Sequence, residues 1–294
     1  MLKISNLHKS FDSNEILKGL NIDIKEGSIF GLVGINGSGK STLLRTISGV
    51  YEPNEGQVTL DGVDTFRNPK IRKDIIFVSD DVYFPAKSTI KSLKTFYESF
   101  YDLDEQRYQK YLKIINLDEE APISRFSKGM KRKVSLLFAL AISPKLLLLD
   151  ECFDGLDPVA RLTFKKAIID LIEDRNTIII ISSHNLKELE DICDSFGILD
   201  DGQVNTYGDL LESKENIVKF QIAYSEDVDY DYSKMFNVLS YRKEGRIVNL
   251  VVKGNIDEAR EKINGTNPLL VDELPVNFEE LFIYEVESRG MING

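Results

Sequence analysis

The sequence predicts an α/β fold with a mostly parallel sheet and a small α+β appendix, and three patterns carry that prediction. The apolar run Ile29–Val33 leads straight into glycines and then into Leu43-Leu44-x-x-Ile47, so the local order is strand, glycine loop, helix. The runs Leu146–Leu149 and Ile178–Ile181 are apolar at every position, the mark of strands buried on both faces and therefore of a parallel sheet. After about residue 213 both patterns give way to short strand and helix candidates.

At the N-terminal end, Leu20, Ile22 and Ile24 alternate with polar residues before Glu26-Gly27 turns the chain, and Gly56–Gly62 reads as a further strand and turn. From about Pro85 to Pro144 the period becomes helical, with Leu93, Phe96, Tyr97 and Phe100, and later Val134, Leu137, Phe138 and Ala141, falling on one face. This stretch is expected to be a mostly helical insertion. Between the two buried runs, Leu162, Ala167, Ile168, Leu171 and Ile172 are spaced as a helix, which completes a βαβ unit. In the appendix, Val218–Ala223 and Ile247–Val252 are expected as strands, and Ile256–Ile263 and Asn277–Val286 as helices. The last of these carries Phe278, Leu281 and Phe282, which need a surface to bury against.

A chain of 294 residues can hold one large domain and a small one. With 42% hydrophobic and 29% charged residues it has an ordinary globular composition. A net charge of −11 argues against binding a phosphate backbone, so no nucleic-acid partner is expected. Cys152 and Cys193 have neither a disulfide-framework nor a zinc-like spacing, which suits a reducing cytosol. No apolar run approaches the ~20 residues of a membrane helix, and Met1–Ser5 has no signal-peptide core. Any membrane role is expected to come through a partner.

The residues after the first buried run, Gly34-Ile35-Asn36-Gly37-Ser38-Gly39-Lys40-Ser41-Thr42, fit the phosphate-loop pattern G-x-x-x-x-G-K-[ST]. Glycines allow backbone N–H groups to point inward at phosphates, and the following helix adds its N-terminal partial charge. Lys40 is placed to reach the β- and γ-phosphates of ATP and Ser41 to hold Mg²⁺ through its hydroxyl, with Asn36, Gly37, Ser38, Gly39 and Thr42 completing the nucleotide contacts. The plain alternative is a chance glycine turn, which average composition produces in about one chain in a hundred of this length. Its position between a buried strand and a helix decides for the nucleotide.

Leu146–Leu149 ends in Asp150-Glu151, which places two acids at the edge of the sheet where ligands bind in open α/β folds. Asp150 is expected to contact Mg²⁺ through water and Glu151 to polarise the attacking water as general base. Taken alone, an acidic strand end facing solvent is an equally good reading. After a phosphate loop it is the weaker one.

Phe126-Ser127-Lys128-Gly129-Met130 resembles, in degenerate form, the signature motif of ABC ATPases, and it precedes the Asp150-Glu151 strand at that family's spacing. Gly155-Leu156-Asp157-Pro158 is similar to the family's D-loop, and Ser182-Ser183-His184 to the end of its switch strand. Phe11 stands at the position of the aromatic that stacks on adenine. The likeness covers residues 1 to about 212, with the motifs in family order, and the tail Phe278–Tyr284 more faintly resembles the close of drug- and peptide-exporting cassettes.

The resemblance implies a P-loop NTPase of the ABC cassette type: a mostly parallel core sheet, an N-terminal antiparallel β subdomain and a helical subdomain at about 85–144. The cassette would occupy 1–213 and a small accessory or regulatory domain 214–294. It implies an Mg²⁺-dependent ATPase subunit that dimerises on ATP binding, as a homodimer or with a similar cassette. Two shared sites would then drive a separately encoded polytopic permease, in the manner of an exporter. Ser127, Lys128 and Gly129 would serve the opposite subunit's nucleotide, and His184 would sense the γ-phosphate. The location implied is the cytoplasm, peripheral on the inner face of the cell membrane.

Read without the resemblance, His184 could equally be a satisfied structural histidine and Phe11 a core aromatic. The family's Q-loop glutamine falls near Asp80 in Ile76–Asp81. An acid there can reach Mg²⁺ but cannot donate an amide hydrogen bond, and the sequence leaves Asp80 and Asp81 both open for the position. Cys152 replaces the proline that usually follows the catalytic glutamate; packing is the plain reading and redox use the alternative. A kinase or GTPase would account for the phosphate loop but not for Ser127–Met130 or His184. The rival from another class is a non-hydrolysing or regulatory ATP-binding protein of the same fold, which the presence of Lys40, Asp150 and Glu151 disfavours.

Overall fold

β1 (Leu2–Phe11) pairs antiparallel with β2 (Asn14–Ile24), Leu2 lying opposite Ile24 and Phe11 opposite Asn14. β3 (Ile29–Val33) and α1 (Lys40–Ile47) follow, and the chain then returns as β4 (Glu55–Leu60) and β5 (Val63–Asp64) to complete an antiparallel sheet ordered β2-β1-β4-β5. These coordinates are a computed structural model that describes residues 1–209, 216–277, 279–280 and 283–284. Phe278, Leu281 and Phe282 of the expected last helix lie outside the described residues, as does residue 213.

β6 (Ile75–Val78) leads into α2 (Ile90–Glu98), α3 (Glu105–Ile115) and α4 (Lys128–Ile142), the helical stretch expected from the change of period. β7 (Leu146–Asp150), α5 (Pro158–Arg175) and β8 (Ile178–Ser182) form the βαβ unit, and α6 (Leu186–Glu190), β9 (Ser195–Asp200) and β10 (Gln203–Asp209) follow. The central sheet runs β10-β9-β3-β8-β7-β6, with β9, β3, β8, β7 and β6 running parallel to one another. Every residue of β3, β7 and β8 is buried, which is why their sequences carry no alternation. A single apolar core runs from Leu2, Ile4 and Ile22 of the antiparallel sheet to Leu32, Leu148 and Ile180 of the parallel one.

Local signals fix the helix ends. Asp104, Ser127 and Asp157 cap α3, α4 and α5 by accepting from backbone N–H groups in the first turn, and Thr89 forms a capping box on α2. Each such cap contributes about 1 kcal/mol. The expected face of α2 is only partly right. Leu93 is buried and Tyr97 packs on Phe138 at 4.7 Å between ring centroids, but Phe96 and Phe100 are 57% and 54% exposed. Leu162 of α5 likewise faces outward.

The chain divides into units at Met1–Tyr207 and Gly208–Gly294. In the second, β11 (Ile217–Ala223), β12 (Asn237–Glu244), β13 (Ile247–Lys253) and β14 (Leu270–Leu274) form an antiparallel sheet ordered β12-β13-β11-β14. Helix α7 (Ile256–Asn264) buries Ala259 and Ile263 in a core with Phe220, Ile222, Leu250 and Val252. Among the described residues no helix is long and apolar enough to cross a membrane.

Candidate active site

The phosphate loop starts where β3 ends, and its glycines have individual reasons. A Cβ on Gly34 would sit 2.5 Å from both the Leu199 carbonyl oxygen and Ser38 Oγ, so no side chain fits. Gly39, at φ +105°, turns the chain into α1 through the left-handed region that favours glycine. As the cap of α1 it offers no side-chain acceptor, which leaves the amides of the first turn without one. Ser38 Oγ is buried without a hydrogen-bond partner. Lys40 is 7% exposed and its Nζ donates to the carbonyls of Gly34 at 2.7 Å and Ile35 at 3.2 Å, folding the cation over its own loop. Burial pulls its ammonium below the ordinary lysine value, against the opposing charges of Glu151 and Asp150. Free amides, an orphan hydroxyl and a half-satisfied ammonium together suit a polyphosphate.

At the end of β7, Asp150 is 1% exposed and its Oδ1 accepts from Ser182 Oγ at 2.6 Å. The next residue, Glu151, has φ +48°, an unfavourable region for a non-glycine residue, and its N–H donates to the Ser182 carbonyl at 3.1 Å. That kink turns the Glu151 side chain toward β8, where His184 Nδ1 lies 2.9 Å from Oε2 and the His184 backbone N–H donates to the same oxygen at 3.3 Å. The hydrogen bond to Glu151, followed by its charge, raises His184 above the ordinary histidine value. Asp154 brings a third ligand-type group, so that atoms of Glu151, Asp154 and His184 all lie within 4.8 Å of one another.

Ser127 Oγ caps α4 by accepting from the Met130 N–H at 3.2 Å. Gly129 is pressed against the loop after β7, where a Cβ would stand 2.4 Å from the Gly155 carbonyl oxygen. The carboxylate of Asp80 accepts from Lys128 Nζ at 2.9 Å and from Arg132 at 2.5 Å. Lys133 pairs with Asp157, the cap of α5, at 2.6 Å. Phe11 is 41% exposed and meets Tyr51 edge-on at 5.2 Å, with Lys9 Nζ 4.8 Å above its ring; it is a surface aromatic and not a core one.

Of the residues singled out in the sequence, the structure gathers Lys40, Asp150, Glu151 and His184 into one electrostatic cluster. Ser41 and Thr42 lie in the first turn of α1, with Asn36 to Gly39 in the loop before it. Among the described residues no hydrogen bond or ion pair joins Ser127, Lys128 or Gly129 to the phosphate loop. Sequence reasoning missed Ser182 as the donor to Asp150, Tyr51 beside Phe11, and Arg132. Arg132 has no sequence signal of its own, since a basic residue in a Lys-Arg-Lys run reads as solvated.

The family model described as "ABC transporter" matches residues 17–154. The chain is 32% identical over 284 residues to the ABC transporter ATP-binding protein YtrB of Bacillus subtilis (strain 168), spanning 96% of this chain and 97% of that protein. It is 28% identical over 278 residues to the bacitracin transport ATP-binding protein BcrA of Bacillus licheniformis, spanning 87% and 91%. Among solved structures it resembles a dimeric ATP-binding cassette, MJ0796, in a post-hydrolysis state bound to ADP and Pi, at TM-score 0.64 and 25% identity, over 71% of this chain and 99% of that one.

Proposed function

The chain belongs to the ABC transporter family, as an ATP-binding subunit whose ATP hydrolysis is coupled to transport, and from that premise we propose that two cassettes close face to face on two shared nucleotides. In each site the phosphate loop, Asn36 to Thr42, holds the phosphates and Phe11 stacks on the adenine. Ser127, Lys128 and Gly129 of the opposite subunit complete the site. Glu151 takes the proton from the attacking water, and His184, oriented by its bond to Glu151, contacts the γ-phosphate. Ser41 and Asp150 offer the hard oxygen donors that suit Mg²⁺, which would supply charge neutralisation to the nucleotide's phosphates. Asp80, the third candidate for the metal, has its carboxylate committed to two cations, and this reading gives it no part in metal binding.

One observation carries the shared-site reading: Ser127 and Gly129 are tied to their own helix and to the Gly155 loop, not to the Lys40 loop of the same chain. The partner is a separately encoded polytopic permease, with this subunit on the inner face of the cell membrane and the unit from Gly208 onward as an accessory to the cassette. The proposed direction is export, with a bacitracin transport subunit among the relatives.

Complementation tests the reading. Lys40→Ala and Ser127→Arg each damage both sites of a homodimer, and each homodimer is expected to be inactive, because either change removes a phosphate contact used in the transition state. In a mixed dimer both lesions fall in one site and the other is intact, so mixing two dead proteins should restore a measurable fraction of hydrolysis. Mixed dimers as inactive as either parent would refute independent shared sites. Purified wild-type chain without Mg²⁺-dependent hydrolysis would favour the regulatory alternative.

A further inference from the structure

Arg132 is 0% exposed and is the largest fully buried side chain of the described residues. A guanidinium cannot shed its proton, so its charge has to be met by acceptors and by an anion. One terminal nitrogen donates to both the carbonyl oxygen of Asp80, at 2.9 Å, and its Oδ1, at 2.5 Å. The other donates to the carbonyl oxygen of Asp154. Nε is buried with no partner. A position this costly in desolvation is occupied for what it joins. Asp80 follows β6, Asp154 follows β7, and Arg132 lies one turn past the residues Ser127–Gly129 at the start of α4. Gly129 already packs on the Gly155 carbonyl, and Lys128 adds a second cation to the Asp80 carboxylate.

We propose that Arg132 is a positioning residue that clamps the first turn of α4 to the loops after β6 and β7, with Asp80 as its anion, and so sets where Ser127–Gly129 meet the other subunit's nucleotide. This inference rests on the shared-site reading above. It gives Asp80, one of the two acids near the family's glutamine position, a physical task. Asp80 is an anchor for the arginine, where glutamine could offer an acceptor but no charge. It also separates two properties of the chain. Among the described residues the phosphate loop makes no bond to the clamp, so binding of ATP by one subunit is independent of it, whereas closure of two subunits on that ATP depends on it.

The test uses full-length chain carrying Glu151→Gln, so that hydrolysis does not remove the ligand. Arg132→Met, Asp80→Asn and the double variant are compared for ATP affinity of the single subunit, by fluorescent-nucleotide titration, and for ATP-driven dimerisation, by sedimentation. Affinity is expected to stay within about twofold, while dimerisation weakens by about tenfold or more in all three. Thermal midpoints follow a different order: Asp80→Asn falls, because a buried cation loses its anion, and the double variant recovers. A stability role alone would let dimerisation recover with the midpoint. Should Arg132→Met not fold, Arg132→Lys, which keeps the charge but not the fork, carries the same comparison. Normal dimerisation by a folded Arg132 variant overturns the inference. So does loss of the Mg²⁺ dependence of nucleotide affinity in Asp80→Asn with Arg132→Met normal, which would return Asp80 to the metal. If the Glu151→Gln parent itself stays monomeric at saturating ATP, the shared-site reading fails instead.

Discussion

Gly129→Ala puts two magnitudes in opposition. Gly129 is the second residue of α4, and alanine is favoured over glycine within a helix by about 1 kcal/mol. If propensity decided, the variant would be more stable and otherwise silent. The added methyl, however, would lie 2.4 Å from the Gly155 carbonyl oxygen, roughly 1 Å short of an ordinary contact. Its obstacle is a backbone atom, and the loop that carries it is held on the other side by the Arg132 bond to the Asp154 carbonyl and by the turn from Leu156 N–H to Phe153. Overpacking of this kind costs about 1–3 kcal/mol. The net is a loss between zero and about 2 kcal/mol, or a fall in Tm of no more than about 8 °C for a chain of this size. Function is expected to suffer far more. The first turn of α4 can relieve the contact only by moving about 1 Å, and a misplacement of that size costs on the order of 100-fold in rate. Steady-state phosphate release, single-subunit ATP affinity and Tm measured on one preparation check all three parts. A raised Tm with hydrolysis within about threefold of wild type would refute the reasoning, since it would show that the Gly155 loop yields and that the close approach positions nothing.

Two further outcomes follow from the same site. The Glu151 hydrogen bond holds His184 above its ordinary value near 6.5, so the pair's contribution to stability is full below that pH and is lost as pH rises through the raised midpoint. The His184 ring resonance, assigned by its disappearance in His184→Gln, should titrate above 6.5, and Glu151→Gln should draw the midpoint down; an unmoved midpoint sinks the assignment. Phe11→Ala should weaken ATP binding by the worth of one stacked base, about 1–3 kcal/mol, while leaving tripolyphosphate binding and Tm nearly unchanged. Calorimetric titration with both ligands decides, and equal weakening of the two would place Phe11 in the fold and not on the adenine.

The parallel sheet was legible in the sequence because burial on both faces erases alternation: Leu146–Leu149 and Ile178–Ile181 could hardly be anything but inner strands, and they are. The phosphate loop was legible because its glycines answer to steric demands that no other residue meets, as Gly34 between the Leu199 carbonyl and Ser38 shows. Strands β12 and β14 were not, since their exposed positions mix apolar and charged residues without a period. Phe96 and Phe100 misled for the opposite reason. Their spacing is that of a buried face, but both are exposed while Leu93 of the same set is buried, and periodicity specifies a face without specifying what covers it. For Phe11 the sequence left a core reading open, which its exposure removes; His184 has a partner in Glu151, a bond that a structural histidine and a γ-phosphate sensor share.

Asp80, one of the two acids near the family's glutamine position, and Cys152, which replaces its proline, looked unrelated because 71 positions lie between them. Asp80 supplies the anion of Arg132, and the Arg132 charge reaches the Cys152 thiol, where it acts to lower the pKa. That electrostatic pull would suit a reactive thiolate if it stood alone. It does not. Cys152 is wholly buried, and desolvation outweighs the arginine and drives the thiol well above its ordinary value. The redox alternative therefore fails on burial, and the thiol is a small packing group in the interior of the protein.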